Sequence, residues 1–295
     1  MSVGTPKAEV SVDEDLVRGL LRDQHPDLAD LPLSVLEPGL DNFMFRLGDD
    51  LAVRLPRREV ASELIEHEQR WLPWLAEKLP LPIPAPIRTG VPSDHYRWCW
   101  SVLPWLQGRA ADEEPPTPDQ AIPFAEFLLA LHQPASDDAP ENPFRGCSLA
   151  VRAPTIDDRL VRLRVKTDLI GDEVERVWRA AQSAPHSSQE MWLHGDIHAR
   201  NTLVSDGKIT GIIDWGDITS GDVATDLAAI WGLFEDARAR RDAIDRYAPD
   251  DATLCRARGW AVSFGALLLD TGLVDHHRHA AMGEKTLRRV AEDDF

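Results

Sequence analysis

Apolar and polar positions follow two different periods along the chain. Alternation over a few residues is typical of strands, and apolar residues three and four apart are typical of amphipathic helices. In the first part of the chain the pattern predicts helices at 12–22 and 59–78, and strands at 33–36, 43–47, 51–55, 87–90 and 96–103. Further on it predicts helices at 119–132, 157–166, 172–182, 226–236, 237–247, 251–269 and 276–291.

One small hairpin interrupts the helical part of the chain. Residues 202–204 and 209–213 are predicted strands, joined by an Asp-Gly pair typical of two-residue hairpin turns. Asp196 lies before this hairpin, Asn201 follows five residues later, and Asp214 ends the second strand. Loops at strand ends commonly hold catalytic groups. The hairpin is therefore the predicted centre of the site.

These three side chains suit phosphoryl transfer. That reaction needs one carboxylate to orient a hydroxyl group and accept its proton, and further oxygen ligands to hold Mg²⁺ against nucleotide phosphates. Mg²⁺ is a hard ion, so Asn and Asp suit it and Cys does not. Protein kinases carry Asp, Asn and Asp in the same order. A polar hairpin with solvated carboxylates is the alternative, but the full set favours a functional site.

The segments HGDIHARN, GIIDWGD and GDVATDLA resemble the aminoglycoside phosphotransferase family, which has a kinase-like fold. The resemblance implies that Asp196 is the catalytic base, that Asn201 and Asp214 bind Mg²⁺, and that ATP or GTP is the phosphate donor. It places His198 near the phosphates and gives Asp226 a bracing role under the catalytic loop. An ordinary acidic residue at a helix start is an equal alternative for Asp226.

The resemblance also implies an α+β, protein-kinase-like fold with two lobes. Residues 1–103 would form a small antiparallel-sheet lobe with one main helix, and residues 109–295 a large, mostly helical lobe. The nucleotide would bind between them, against a hinge at residues 104–108. Backbone groups of Pro104 and Leu106 would contact the adenine, although Pro104 has no N–H and can only accept a hydrogen bond. A strand that simply runs into a loop is an equal alternative for this segment.

Arg54 is a cation within the otherwise apolar third strand. Kinases carry a phosphate-binding Lys on this strand, and Arg also binds phosphate, although the two side chains are not interchangeable. The resemblance predicts an ion pair between Arg54 and Glu68, with Glu63 and Glu66 as alternatives. The turn at residues 37–42, where such folds place a phosphate-covering loop, has a single glycine, and an ordinary hairpin turn is the favoured interpretation.

Length, cysteine number and net charge limit the cellular environments and the binding partners that we expect for this chain. The 295 residues allow one large domain or two lobes. No apolar run approaches the roughly 20 residues of a membrane span, and no secretory signal is recognisable. Three widely spaced cysteines favour reduced thiols in a cytoplasm. A formal net charge of -18 argues against a nucleic-acid partner.

Two other classes of protein remain open. His194 and His198 are four residues apart, as in some zinc hydrolases, although Gly195 interrupts a helix there. A kinase-like protein that binds nucleotide without turnover is the other class, suggested by Arg54 and the glycine-poor turn. A further trio of histidines at 276, 277 and 279 is predicted to be a solvated helix end.

The acceptor is predicted to be a small hydroxylated molecule. The resembled family acts on aminoglycosides, macrolides and small metabolic alcohols or amines. We expect a polycationic amino sugar, because carboxylates beside a cleft would raise the local concentration of a cation. The acidic residues expected there are Asp157, Asp158, Asp217, Glu235, Asp236 and Asp270, although for any single one of them a solvated helix end is the favoured alternative.

Overall fold

The structure is a computed structural model that describes residues 7–36, 39 and 41–293. The predicted phosphate-covering turn includes Glu37, Pro38 and Leu40, which lie outside the described residues. Two compact units are present, one comprising the chain up to Lys78 with Pro82–Leu106, the other Leu79–Leu81 with the chain from Gln107 onward. In the described part of the chain, no helix combines the length and apolar character needed to cross a membrane.

The first unit is an antiparallel sheet with two helices. Its helices are α1 (Glu14–Gln24) and α2 (Glu59–Ala76), and its strands are β1 (Leu33–Val35), β2 (Asn42–Leu47), β3 (Leu51–Pro56), β4 (Arg88–Gly90) and β5 (Trp100–Pro104). The strand order is β1-β2-β3-β5-β4, with antiparallel neighbours throughout. The three leading strands thus form the predicted meander.

Helix α1 supplies the apolar cover of this sheet. It begins at Glu14, and the preceding residue, Asp13, is its N-cap, whose side chain accepts a hydrogen bond from the backbone N–H of Leu16 at 2.9 Å. Its apolar face is buried against strand residues such as Phe45 and Trp100. The last predicted strand starts only at Trp100, because the backbone N–H and carbonyl of Tyr96 bond to Ser93 instead of extending the ladder.

The second unit is mostly helical. Its helices are α3 (Ala121–Leu131), α4 (Leu149–Lys166), α5 (Asp172–Ser183), α6 (Ala224–Leu227), α7 (Ala229–Leu233), α8 (Ala237–Tyr247), α9 (Asp251–Asp275) and α10 (His277–Glu292). Its strands are β6 (Arg109–Ala110), β7 (Met191–Leu193), β8 (Thr202–Ser205), β9 (Lys208–Ile212) and β10 (Thr219–Gly221). Strands pair in the orders β6-β8-β9 and β10-β7, so the predicted hairpin is β8-β9.

Several predicted helices have different bounds in the structure: the helix predicted at 251–269 continues to Asp275, and two others differ more. Helix α4 starts at Leu149, well before residue 157, because Ser148 caps it and Pro154 is accommodated inside. The helix predicted at 226–236 is wrong as a single element. The chain forms the short α6 and α7 instead, and Phe234 then adopts an extended backbone before Asp236 caps α8.

The hairpin and its flanking loops rest on an aromatic layer. Phe127 contacts Trp215 edge-on with ring centroids 6.4 Å apart, and the imidazole of His194 lies 4.6 Å from the Trp215 ring. Helix α9, buried along much of its length, packs against α4, α5, α6 and α10. Closely packed interiors hold their side chains in defined positions, so this layer gives the hairpin a rigid base.

Candidate active site

The loop that carries Asp196 is held by a buried carboxylate. Asp226, 1% exposed, accepts hydrogen bonds from the backbone N–H groups of His194 at 2.8 Å and Gly195 at 2.9 Å. The Nε2 atom of His132 lies 3.4 Å from the same carboxylate, and His132 Nδ1 lies 2.8 Å from the hydroxyl of Tyr247. The predicted brace is thus present, and Asp226 bonds to the loop as well as lying at a helix start.

Both ring nitrogens of His194 are used by the loop itself. Its Nδ1 accepts from the backbone N–H of Asp196 at 3.2 Å, and its Nε2 donates to the carbonyl of Ile213 at 3.0 Å. A neutral imidazole has one donor and one acceptor, and these two bonds use both. His194 therefore cannot serve as a zinc ligand without losing the loop geometry, which argues against the hydrolase interpretation.

The Asp196 carboxylate is only partly exposed and has a different neighbour at each oxygen. Arg145 donates from Nη2 to Oδ1 at 2.9 Å, and His198 Nε2 lies 3.6 Å from Oδ2. Burial opposes ionisation here, but the nearby Arg145 guanidinium, with smaller contributions from His198 and His194, holds the pKa of Asp196 below its usual range. Asp196 is accordingly ionised at neutral pH, as a proton acceptor must be.

His198 lies beside Asp196 and begins the short turn at Ala199–Asn201. Its Nδ1 accepts from the backbone N–H of Arg200 at 3.2 Å. Burial lowers the pKa of His198, and the neighbouring Asp196 and Asp214 oppose that shift only in part. The imidazole is therefore neutral at physiological pH, and its predicted contact with the nucleotide phosphates stays a prediction.

Asn201 and Asp214 are joined through the hairpin backbone. The side-chain NH₂ of Asn201 donates to the carbonyl of Asp196 at 3.1 Å, and the carbonyl of Asn201 accepts from Ile213 N–H at 2.8 Å. Asp214 follows directly, with an exposed side chain and a left-handed backbone at φ 63°, which is uncommon outside glycine. An amide oxygen and a carboxylate at this point fit the oxygen ligands that Mg²⁺ prefers.

A second loop, residues 135–145, reaches the Asp196 carboxylate through Arg145 and also contacts Asp217. Asn142 donates to Oδ1 of Asp217 at 2.7 Å, and Arg145 Nε lies 3.8 Å from Asp217 Oδ2. The guanidinium of Arg145 also lies over the Phe264 ring, 5.0 Å from its centroid. Burial raises the pKa of Asp217, with Arg145 opposing the shift. No spacing or motif in the sequence signalled Arg145 or Asn142.

One segment supports both loops. Gly146 and Gly221 touch backbone to backbone, and a Cβ added to Gly221 would lie 2.6 Å from the Cα of Gly146. The N–H of Gly146 donates to the Thr225 hydroxyl at 3.2 Å, and its carbonyl accepts from Asp222 N–H at 2.9 Å. Residues 222–226 therefore fix the loop of Arg145 as well as the loop of Asp196, the latter through Asp226.

In the first unit, the predicted ion pair of Arg54 and Glu68 is present. Arg54 Nη1 lies 2.7 and 2.9 Å from the two carboxylate oxygens, and the side chains are 8% and 1% exposed. Asn42, with its amide oxygen turned toward the guanidinium, accepts from Nε and Nη2. Pro104 ends β5 opposite Leu51, and Leu106 is the last residue of this unit. The nucleotide contacts assigned to these residues stay predictions.

The histidine trio is not simply a solvated helix end. His276 caps α10, its ring stacks on that of His279 with centroids 3.8 Å apart, and only His277 is fully exposed. Nη1 of Arg200, from the loop that follows Asp196, lies 2.6 Å from His279 Nε2. Burial, reinforced by His276 and Arg200, lowers the pKa of His279 to about 4.

Most of the acidic residues expected around the acceptor have partners within the chain. Asp157 accepts from Trp178 Nε1 at 2.6 Å, and Asp270 lies 2.6 Å from Arg162 and 3.5 Å from Lys166. Asp236 caps α8. Among these expected acidic residues, Asp217 is the one that shares a partner, Arg145, with Asp196.

Comparison with known proteins identifies relatives of this chain. The model of the phosphotransferase enzyme family matches residues 32–260. An aminoglycoside 3'-phosphotransferase of Escherichia coli is 30% identical over 190 residues, covering 62% of this chain and 68% of that protein. An aminoglycoside 3'-phosphotransferase of Salmonella typhimurium is 29% identical over 190 residues, which again cover 62% of this chain and 68% of that protein.

Solved structures show the same fold. The GDP complex of wild-type aminoglycoside 2'-phosphotransferase-IIIa has a TM-score of 0.68 at 18% identity and covers 96% of this chain and 100% of that one. A macrolide 2'-phosphotransferase from Brachybacterium faecium has a TM-score of 0.61 at 23% identity, over 95% and 99% of the two chains. The predicted α+β, kinase-like fold class is confirmed.

The fold and the relatives define the class of protein as a small-molecule kinase. The chain belongs to the phosphotransferase enzyme family, because the family model covers most of its length.

Proposed function

We propose that this chain transfers the γ-phosphate of ATP or GTP to a hydroxyl group of an aminoglycoside-type antibiotic and so inactivates it. The proposal rests on one arrangement: Asp196 is ionised, Asn201 donates to its backbone carbonyl, and the backbone carbonyl of Asn201 accepts from Ile213, the residue before Asp214. Two curated relatives are named aminoglycoside 3'-phosphotransferases. Structural neighbours include complexes with GDP and kanamycin and with streptomycin and ATP, which supports the class of donor and acceptor.

Different side chains would accept the proton, bind the metal ion and bind the nucleotide. Asp196 would accept the hydroxyl proton as the oxygen attacks phosphorus, and its ionised state at neutral pH suits that role. Asn201 and Asp214 would hold Mg²⁺, which neutralises charge on the phosphates when bound. Arg54, paired with Glu68, His198 and the backbone of Pro104 and Leu106 are the proposed nucleotide contacts.

The setting of the reaction is part of the proposal. Cys99, Cys147 and Cys255 are free thiols in the structure, which supports a reducing, cytoplasmic environment. A formal net charge of -18 supports a cationic acceptor and disfavours nucleic acid. We therefore infer a small molecule and a nucleotide as the partners, with neither a membrane nor a nucleic acid involved.

The test is transfer of radiolabelled γ-phosphate from ATP and from GTP to a panel of aminoglycosides, macrolides and small metabolic alcohols and amines. We expect an aminoglycoside to be labelled. Asp196→Asn should reduce the rate by roughly 10²–10⁴-fold, the usual contribution of a general base, while nucleotide affinity stays near wild type. Labelling of a macrolide alone would move the acceptor to that class, and nucleotide binding without labelling of any acceptor would indicate a silent kinase-like protein.

A further inference from the structure

Among the residues that the structure describes, Arg145 makes the shortest side-chain contact of the Asp196 carboxylate. The hydrogen bond from Nη2 to Oδ1 is 2.9 Å, and the two side chains are only 14% and 23% exposed. A charge-assisted bond of this kind is stronger and more directional than a bond between neutral groups. The contact therefore restricts the rotation of the Asp196 carboxylate, in addition to stabilising its negative charge.

The guanidinium is itself held from several sides. It lies over the Phe264 ring of α9 at 5.0 Å, and its Nε faces Asp217, which Asn142 fixes by a 2.7 Å hydrogen bond. Gly146, the next residue, is tied to Thr225 and Asp222 through its backbone. A side chain fixed in this way can hold the group that it contacts, here the Asp196 carboxylate, in one orientation.

Arg145 and Asp196 come from distant parts of the chain, but the loops that carry them are bonded to the same segment, residues 222–226. Asp226 holds the loop of Asp196, and Thr225 and Asp222 hold the loop of Arg145. The separation between guanidinium and carboxylate is thus set by the short segment 222–226. An arrangement that fixes both partners of an ion pair from one segment preserves the geometry of that pair.

We propose that Arg145 is a positioning residue for phosphoryl transfer: it engages Oδ1 of Asp196 and leaves Oδ2 as the oxygen that accepts the proton of the acceptor hydroxyl. This role rests on the proposed function, in which Asp196 is the base. His198, 3.6 Å from Oδ2, borders the side on which that hydroxyl would approach. A general base is effective only within hydrogen-bonding reach of its proton, so a freely rotating carboxylate would lose rate.

The test uses Arg145→Met, Arg145→Lys, Asp196→Asn and the double variant Arg145→Met/Asp196→Asn in the full chain. Arg145→Met should lower kcat for an aminoglycoside about 10- to 100-fold with little change in KM, because orientation and not affinity is lost. Arg145→Lys, which keeps a cation, should recover part of kcat. In the Asp196→Asn background the same substitution should cause no further loss, because Arg145 acts through that carboxylate.

Arg152→Met is the matched control. Its guanidinium also lies over an aromatic ring, 5.2 Å from the centroid of Phe144, but no hydrogen bond to Asp196 is recorded for it in the described residues. Its kcat should stay at the wild-type value. A wild-type or raised kcat in Arg145→Met would overturn the inference, and a raised value would show that the contact blocks the base.

A second measurement separates this inference from the proposed function. Urea unfolding of the same variants needs no acceptor, and the midpoint shifts of Arg145→Met and Asp196→Asn should be non-additive if the contact forms in solution. Additive shifts overturn the inference even where transfer is observed. Non-additive shifts in a protein that labels no acceptor would instead show that the proposed function fails, and the positioning role fails with it.

Discussion

Asp226 is the residue whose replacement should disturb the site most without touching the reacting atoms. Its carboxylate is 1% exposed and accepts two backbone hydrogen bonds, at 2.8 and 2.9 Å, from the loop that carries Asp196. Asp226→Asn keeps the shape of the side chain but turns one oxygen into an NH₂ group. That group then faces a backbone N–H, so one donor of the loop loses its acceptor.

The expected cost follows from these contacts. Hydrogen bonds to charged groups contribute about 1.5–3 kcal/mol each, and an unsatisfied buried donor costs about 1–3 kcal/mol. Asparagine retains one of the two bonds in a weaker, neutral form and no longer buries a charge, which offsets part of the loss. We therefore expect the free energy of unfolding to fall by about 2–4 kcal/mol. Because the loop also shifts, kcat should fall about 10- to 100-fold.

The assay is urea unfolding followed by tryptophan fluorescence, together with steady-state kinetics. Asp236→Asn is the matched control, since Asp236 also accepts two backbone hydrogen bonds, from Arg238 and Ala239, but on the exposed start of α8. Asparagine is as good an N-cap as aspartate, so its midpoint should match wild type. If Asp226→Asn unfolds at the same urea concentration as Asp236→Asn, the carboxylate does not hold the loop and our reasoning is refuted.

Two further predictions concern the metal and the histidines. Asp214→Asn should raise the Mg²⁺ concentration required for half-maximal activity, because a neutral amide binds a hard divalent ion less well, and an unchanged requirement would exclude Asp214 as a ligand. Burial lowers the pKa of His279 from 6.5 to about 4, so the unfolded chain takes up a proton in this range while the folded chain does not. Stability should fall as pH drops from 6.5 to about 4, and the fall should be shallower in His279→Asn; equal slopes in urea titrations would contradict this.

The hairpin and the strand meander were predictable because their signals are local. An Asp-Gly turn between two short apolar runs specifies β8 and β9, and strand alternation with polar turns specifies β1 to β3. The ion pair of Arg54 and Glu68 was predictable from the resemblance. Each of these features depends on residues close in sequence or on a known pattern of spacing.

The second loop was not predictable for a physical reason. Arg145 lies 51 residues before Asp196, and their contact exists only because helices α4 and α5 return the chain to the same place. The early end of α7 was missed for a related reason. Local propensity favours a helix up to residue 236, but Phe234 is buried with an extended backbone, so the helix ends at Leu233.

The hydrogen bonds that begin at Asp226 do not end at the catalytic loop. His132, which follows α3, lies between Asp226 and the hydroxyl of Tyr247, the last residue of α8, at 3.4 and 2.8 Å. If the phenol donates to Nδ1, the proton of the neutral imidazole is on Nε2 and faces the carboxylate. The phenol of Tyr247, the imidazole of His132 and the carboxylate of Asp226 thus form a series of hydrogen bonds from α8 to the backbone beside Asp196. Helix α8 carries no proposed catalytic group, yet the side chain at its end is connected by hydrogen bonds, through His132 and Asp226, to the backbone of the loop that holds Asp196.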